Sequence, residues 1–252
     1  MYTTMTKPTE LVFTEAPVVE WTPEALKQVS DSLEGHAPED ILRWGIENFG
    51  PDLVQASSFG PEGIVLMHLL SEMKAGTPVF YLDTDLLFPE TYELRDQLAV
   101  RFGKEFVRVS TDLSVEAQAE KHGPALWSRE PNLCCQIRKV EPLRRYLADK
   151  RAWITGIRRD QTATRANAGL VEWDRSNGLV KLNPLAAWTA EDVWAHIHSY
   201  ELPFNKLHLQ NYPSIGCWPC TRPVAPGDDP RAGRWAGLAK TECGIHLQPK
   251  AK

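Results

Sequence analysis

Two cysteines stand side by side, Cys134 and Cys135, in the stretch PNLCCQIRK, and two more, Cys217 and Cys220, form a Cys-x-x-Cys in GCWPC. Four thiols drawn from two short stretches suggest a metal centre, and all-sulfur tetrahedral coordination suits zinc or an iron–sulfur cluster. Adjacent thiolates fit a single zinc ion poorly, because its paired ligands usually stand about two to four residues apart. A cluster of several irons offers neighbouring thiolates separate corners. A redox-active Cys-x-x-Cys is the other reading of CWPC, and it leaves the tandem pair unexplained. The fifth cysteine, Cys243, stands apart in KTECGIH, with Lys240 three positions before it and His246 three after. A thiolate is a strong nucleophile, and nearby cations lower its pKa. The bland alternative is an idle cysteine on a frayed tail.

Anion-binding chemistry is spread over three further stretches. Ser57, Ser58, Phe59 and Gly60 form a turn between a predicted strand and a predicted helix, where hydroxyls, backbone amides and the helix dipole can hold a phosphate or sulfate. The same turn would also serve as a plain helix cap, and no Gly-Lys-Ser/Thr follows to make it a Walker loop. In YLDTD, Asp83, Thr84 and Asp85 end a strand; the carboxylates suit ribose hydroxyls or an adenine amino group, or else cap the next helix, the preferred reading for Asp85. GIRRDQTATR places Arg158, Arg159 and Arg165 after another strand, a cluster apt for anionic oxygens in which one or two of the three should matter.

These residues need a scaffold, and the pattern of the chain predicts one. TPEALKQVSDSLEG and APEDILRWGIENFG read as two helices, each closed by a glycine. LVQASS, TPVFYLDT, EFVRVS and AWIT read as short apolar strands; IVLMHLLSEM reads as a buried helix and FPETYELRDQLAVRFG as an amphipathic one. Strands alternating with helices imply an α/β fold, a parallel sheet with helices on both faces, and ligands at the carboxyl ends of the strands. LVEWDRSNGLVKLNPL reads as a hairpin and TAEDVWAHIHSY as a capped helix. The expected division is an N-terminal helical cover over 1–38, a nucleotide-binding α/β domain over 39–202, and a C-terminal segment over 203–252 carrying the Cys-x-x-Cys and the active-site tail.

The 252 residues, 42% hydrophobic and 24% charged, are enough for one large domain with a full core. A formal net charge of −5 argues against a general nucleic-acid or acidic-membrane surface, so positive charge for an anionic substrate must be gathered locally. No secretory signal is visible in the first twenty residues, and no apolar run reaches the roughly 18 residues of a membrane helix. A cytoplasmic location follows as the expectation. There thiols stay reduced, and five cysteines could not form a complete disulfide framework in one chain.

Taken together, SSFGPEG, LDTDLLFPETY, NLCCQIRKVEPL, GIRRDQTATR, NPLAAWTAEDVW, YPSIGCWPC, RAGRWAG and KTECGIH resemble the assimilatory adenylyl-sulfate reductases, the iron–sulfur branch of the phosphoadenylyl-sulfate reductase family. The resemblance runs in order from about residue 40 to 246. It implies a fold of the adenine nucleotide alpha hydrolase type and one 4Fe-4S cluster. It also implies the reduction of adenylyl sulfate by thioredoxin to sulfite and AMP, a step of cysteine biosynthesis. On the same grounds Cys134, Cys135, Cys217 and Cys220 match the cluster ligands and Cys243 the nucleophile that becomes an S-sulfocysteine. Lys139, Arg231, Arg234 and His246 match residues around the phosphosulfate. Pro61 departs from the small residue expected after SSFG, yet proline is well tolerated in a first helical turn. The nearest rival is the 3'-phosphorylated substrate, phosphoadenylyl sulfate, or acceptance of both. An ATP pyrophosphatase or tRNA-thiolating enzyme would want an SGGxDS loop instead, and a zinc-stabilised module without catalysis would leave Cys243 and the arginines without a task. A homo-oligomer is left open.

Overall fold

A computed structural model describes residues 21–240 and 242–246, with His246 described by its backbone alone. The leader examined above for a secretory signal lies outside the described residues.

Prolines and caps start the helices where the pattern places them. Pro23, Pro38, Pro61 and Pro89 each occupy the first turn of a helix: α1 (Pro23–Leu33), α2 (Pro38–Phe49), α3 (Pro61–Glu72) and α4 (Pro89–Phe102). The missing N–H costs nothing there and the fixed φ suits the helix. Thr22 accepts from the Ala25 N–H at 3.2 Å to cap α1, and Gly103, at φ 57°, takes the left-handed position that ends α4. Between them run β1 (Leu53–Ala56) and β2 (Val79–Leu82), and β3 (Val107–Val109) follows α4.

A run of short helices comes next: α5 (Val115–His122), α6 (Leu126–Arg129) and α7 (Pro131–Cys135). A π-helical turn, Gln136–Val140, then leads directly into α8 (Glu141–Leu147). The chain returns to the sheet as β4 (Ala152–Ile154), then makes the antiparallel hairpin β5 (Val171–Asp174) and β6 (Leu179–Leu182), and closes the sheet region with α9 (Ala190–Ser199). α9 begins with a reciprocal cap: the Asp192 N–H donates to Thr189 Oγ1 at 3.2 Å, and the Thr189 N–H to Asp192 Oδ2 at 2.8 Å.

The six strands lie in the order β3-β2-β1-β4-β6-β5. All neighbours are parallel except the β5–β6 pair, the hairpin expected from LVEWDRSNGLVKLNPL, which forms one edge of the sheet. Alternate strand residues feed two cores. Leu53, Val79, Tyr81, Ile154 and Leu182 join α1–α4 and α9, whereas Val54, Phe80, Val109 and Trp153 meet Leu143 and Leu147 of α8. From β1 the chain builds outward through β2 and β3, then crosses to β4 on β1's other side. The loops after β1 and β4 therefore diverge at the carboxyl edge and leave a crevice between them. Among the described residues no helix is long and apolar enough to cross a membrane.

Candidate active site

The crevice is a cavity of about 740 Å³. One wall is the loop after β1. There Ser57 Oγ accepts from the Phe59 N–H at 3.0 Å, and Phe59, buried against Tyr81 and Phe106, is held at φ 58°. A bulky side chain in that region is strained and persists only where the surroundings impose it. The strain presents Ser57, Ser58 and Gly60 to the cavity at the N-terminus of α3. Gly63 makes this possible, because a Cβ there would stand 2.6 Å from Ser57 Oγ.

The opposite wall is the loop after β4. Arg158 is 7% exposed. Its guanidinium lies 3.2 Å from Glu62 and 3.4 Å from Asp160, yet two of its N–H groups lack an aligned acceptor. Arg165 donates to Gln161 Oε1 at 2.5 Å while its Nε is buried without a partner. Arg159, also at the crevice wall, donates to Glu34 and the Ala168 carbonyl, tying the loop to the end of α1. Of the three arginines in the motif, two carry unsatisfied donors in the crevice and one is structural. Lys139, Arg231 and Arg234 complete the basic lining, the local concentration of charge that an acidic chain needs to hold an anion.

Asp83 and Thr84 do not line this cavity. Asp83 accepts from Arg108 Nε and the Tyr92 hydroxyl, both at 2.7 Å, which together hold its carboxyl below the usual range against the opposing effect of burial. Asp85 pairs with Arg108 and the buried Arg138 instead of capping α4. The cause is register: β3 pairs alongside β2 and sets Arg108 opposite Tyr81, within reach of both carboxylates. Thr84 faces a second cavity, where its hydroxyl lies 3.3 Å from Cys217 Sγ.

That second cavity is lined by Cys134, Cys135, Cys217 and Cys220 together with Arg138, Lys139 and Arg234. The π turn directs Arg138 and Lys139, four residues beyond the tandem cysteines, to the same wall; such bulges are frequent at functional sites. The Cys-x-x-Cys loop is brought there by the Trp218 N–H, which donates to the Leu86 carbonyl at 2.8 Å. Burial raises the thiols of Cys134 and Cys220, the latter to about 11, with neighbouring thiols adding to the effect. Among the described residues no three His, Cys, Asp or Glu side chains converge as ligands of one ion. Four thiols around a cavity wall, beside cations that offset their charge, are a donor set suited to a multi-metal cluster that gives each a separate corner.

Lys139, Arg234 and Trp235 line both cavities. Cys243 lies at this shared wall, buried with Cys135 and Trp235. A hydrogen bond from Cys135 and the charges of Lys139 and Arg234 hold its thiol well below the usual value despite burial, and the same contact pushes Cys135 up. Burial opposes the charge of Lys139, but the facing thiols outweigh it and keep the ammonium protonated. Arg234 donates to Ser214 Oγ at 3.2 Å and to the Ile215 carbonyl at 3.3 Å, and it stacks 4.6 Å over Trp235. The side chain of His246 lies outside the described residues.

The site therefore joins a nucleotide-sized anion pocket to an activated thiol and a ring of cations. Sequence reasoning missed Glu62, Gln161, His208 and Glu242, which also line the pocket. Of these Glu62, Gln161 and Glu242 carried a signal, their places in SSFGPEG, in GIRRDQTATR and beside Cys243.

Comparison with known proteins agrees with this geometry. The family described as "Phosphoadenosine phosphosulfate reductase domain" matches residues 52–223. An adenosine 5'-phosphosulfate reductase of Salinibacter ruber is 50% identical over 231 residues, covering 91% of this chain and 92% of its own. A phosphoadenosine 5'-phosphosulfate reductase of Gloeobacter violaceus is 49% identical over 224 residues, 88% of this chain and 93% of its own. Among solved structures, the phosphoadenylyl-sulfate reductase of Candida auris in its phosphate complex superposes with a TM-score of 0.73 at 30% identity, covering 82% of this chain and 100% of that one.

Proposed function

The chain belongs to the phosphoadenosine phosphosulfate reductase family, and on that premise we propose that it reduces adenylyl sulfate to sulfite and AMP, with thioredoxin as the source of electrons. It is an oxidoreductase acting on sulfur, and its sheet is of the adenine nucleotide alpha hydrolase type. The observation that carries the reading is the position of Cys243, an activated thiol inside a cation-lined nucleotide pocket.

The Cys243 thiolate attacks the sulfur of the sulfate group. The bond from sulfur to the bridging oxygen breaks, AMP leaves with that oxygen, and an S-sulfocysteine remains. Charge grows on the departing phosphate, so Lys139, Arg231 and Arg234, gathered at the pocket wall, would act as preorganised stabilisers. The strained loop of Ser57, Ser58 and Gly60 and the unsatisfied donors of Arg158 and Arg165 would bind the nucleotide's phosphate. A thiolate of reduced thioredoxin then attacks the Cys243 sulfur, expels sulfite and forms a mixed disulfide, which the second thioredoxin thiol cleaves to close its own disulfide and free the Cys243 thiolate. Two thiols are oxidised and one sulfur is reduced by two electrons, so the balance closes. His246 would bind or protonate oxygen in this scheme.

Cys134, Cys135, Cys217 and Cys220 would hold one 4Fe-4S cluster, a group that supplies a fixed electrostatic centre beside Lys139 when bound. A ligating Cys135 has no proton to donate, so activation of Cys243 would then rest on Lys139, Arg234 and the Ile245 N–H. Five free thiols suit a reducing, cytoplasmic setting.

The near-equal identity to a relative named for phosphoadenylyl sulfate supports a second reading, that the 3'-phosphorylated nucleotide is used as well or instead. Intact-mass analysis of the anaerobic protein after mixing with each nucleotide, without reductant, decides. The expected result is one SO3 group on Cys243 from adenylyl sulfate, released as sulfite by reduced thioredoxin. Labelling by the phosphorylated nucleotide alone would replace the substrate, and labelling by neither would end the covalent scheme.

A further inference from the structure

Glu242, the residue before Cys243, has no task in the scheme above. Its side chain is only 8% exposed and lies between two arginines. Arg165 Nη2 donates to Oε2 at 3.0 Å, and Arg231 Nη2 lies 3.2 Å from Oε1. Arg165 belongs to the loop after β4 and Arg231 to the C-terminal segment, so one carboxylate joins two walls of the nucleotide pocket. A carboxylate this deeply buried is tolerated only because both oxygens face cations.

Apart from the packing of Cys243 itself against Cys135 and Trp235, the other contacts of the tail are weaker. Lys240 donates to Asn132 at the surface, at 2.5 Å, where an exposed polar contact is worth little. Gly244 lies against the π turn so closely that a Cβ would stand 3.2 Å from Val140, and Ile245 is only partly buried. The strongest fastening of the tail is therefore one residue from the reactive sulfur.

We propose that Glu242 is the positioning residue of the tail: clasped between Arg165 and Arg231 it seats Cys243 in the pocket, and its release lets Cys243 swing out to an external dithiol. This rests on the reading of Cys243 as the nucleophile. A carboxylate is required, because an amide at this position has one acceptor and would turn donor hydrogens toward the second arginine.

The test compares the iron-loaded wild type with Glu242→Gln and Glu242→Asp, each checked for fold by circular dichroism and for AMP binding. Two readouts report the seating of the tail: alkylation of Cys243 by iodoacetamide, followed by peptide mapping, and tryptic cleavage after Lys240, which is indifferent to the state of the thiol. Glu242→Gln should speed both by about ten- to hundredfold, the range for a lost hydrogen bond between charged groups. Glu242→Asp, which keeps the charge on a shorter stem, should fall between. Wild-type rates of both labelling and cleavage in folded Glu242→Gln would overturn the assignment. Should that variant not fold, wild-type rates in Glu242→Asp would do the same. Loosened tails in a protein that never forms the Cys243 adduct would count against the sulfur chemistry and leave the role of Glu242 standing.

Discussion

Replacing Gly216 by alanine should disable Arg234 without unfolding the protein. A Cβ at Gly216 would stand 2.3 Å from Arg234 Nη2 and 2.6 Å from its Cζ, where ordinary contact begins at 3.4 Å. The guanidinium must therefore retreat by about 1 Å. Because the obstructed group is the end of a flexible side chain, and Gly216 is not among the positive-φ glycines, the backbone has no reason to move. The retreat lifts Arg234 from Ser214 and Ile215 and from the wall shared by the two cavities. A misplacement of about 1 Å can cost about a hundredfold in rate, which corresponds to about 2.7 kcal/mol of barrier. Single-turnover formation of the Cys243 adduct measures this directly, with thermal melting as the control for folding. A double-variant cycle isolates the cause: in an Arg234→Ala background the new methyl has nothing to push, and Gly216→Ala should then cost less than about threefold. A near-wild-type rate in the single variant, or the same hundredfold penalty in both backgrounds, would refute the reasoning.

Two further perturbations probe the scaffold. Burial holds His208 at about 4, below the 6.5 of an unperturbed imidazole, and its Nε2 has no partner. The folded state thus resists protonation that the unfolded chain accepts, so stability is complete above about pH 6.5 and falls as the pH drops through 4, by about 3 kcal/mol in all. Denaturant unfolding at several pH values should show this slope and show it flattened in His208→Gln; an unchanged slope would remove His208 as the cause. Ser30 of α1 accepts from the backbone N–H groups of Leu170 and Val171, at 2.9 and 3.4 Å, where the chain enters the edge strand β5. Ser30→Ala leaves buried donors unpaired and should cost about 1–3 kcal/mol, a fall in Tm of roughly 2–12 °C; an unchanged Tm would show that this cap is dispensable.

The sheet could be read from the sequence because its strands are short apolar runs bounded by turn residues, and because proline and Thr-x-x-Asp signals mark helix starts independently of context. The stretch from Val115 to Val140 gave no such reading. Its helices are short, and the π turn after Cys135, which packs against the tail, has no local signal of its own. Within the site, chemistry was legible and partnership was not. The arginine cluster after β4 could be recognised, but only the position of Glu34 shows that Arg159 is structural. Asp83 reads as an open acceptor at a strand end, and only the fold shows that Arg108 on the neighbouring strand already occupies its carboxylate. Glu242 shows the same limit from the other side: beside a nucleophile it reads as one more acid, and its two arginines come together only in the folded chain.

The division of the four thiols between two distant stretches also fixes an order of events during synthesis. Cys134 and Cys135 emerge before β4, β5, β6 and α9, and Cys217 and Cys220 only after them. At roughly 5–20 residues per second the first pair waits several seconds for its partners. During that interval β1 to β3 can pair, but neither the crevice, which needs β4, nor the thiol-lined cavity, which needs the Cys-x-x-Cys loop, has its walls. Cys243 arrives later still. Cys243 is therefore synthesised only after every cation and loop that lines the nucleotide pocket has been made.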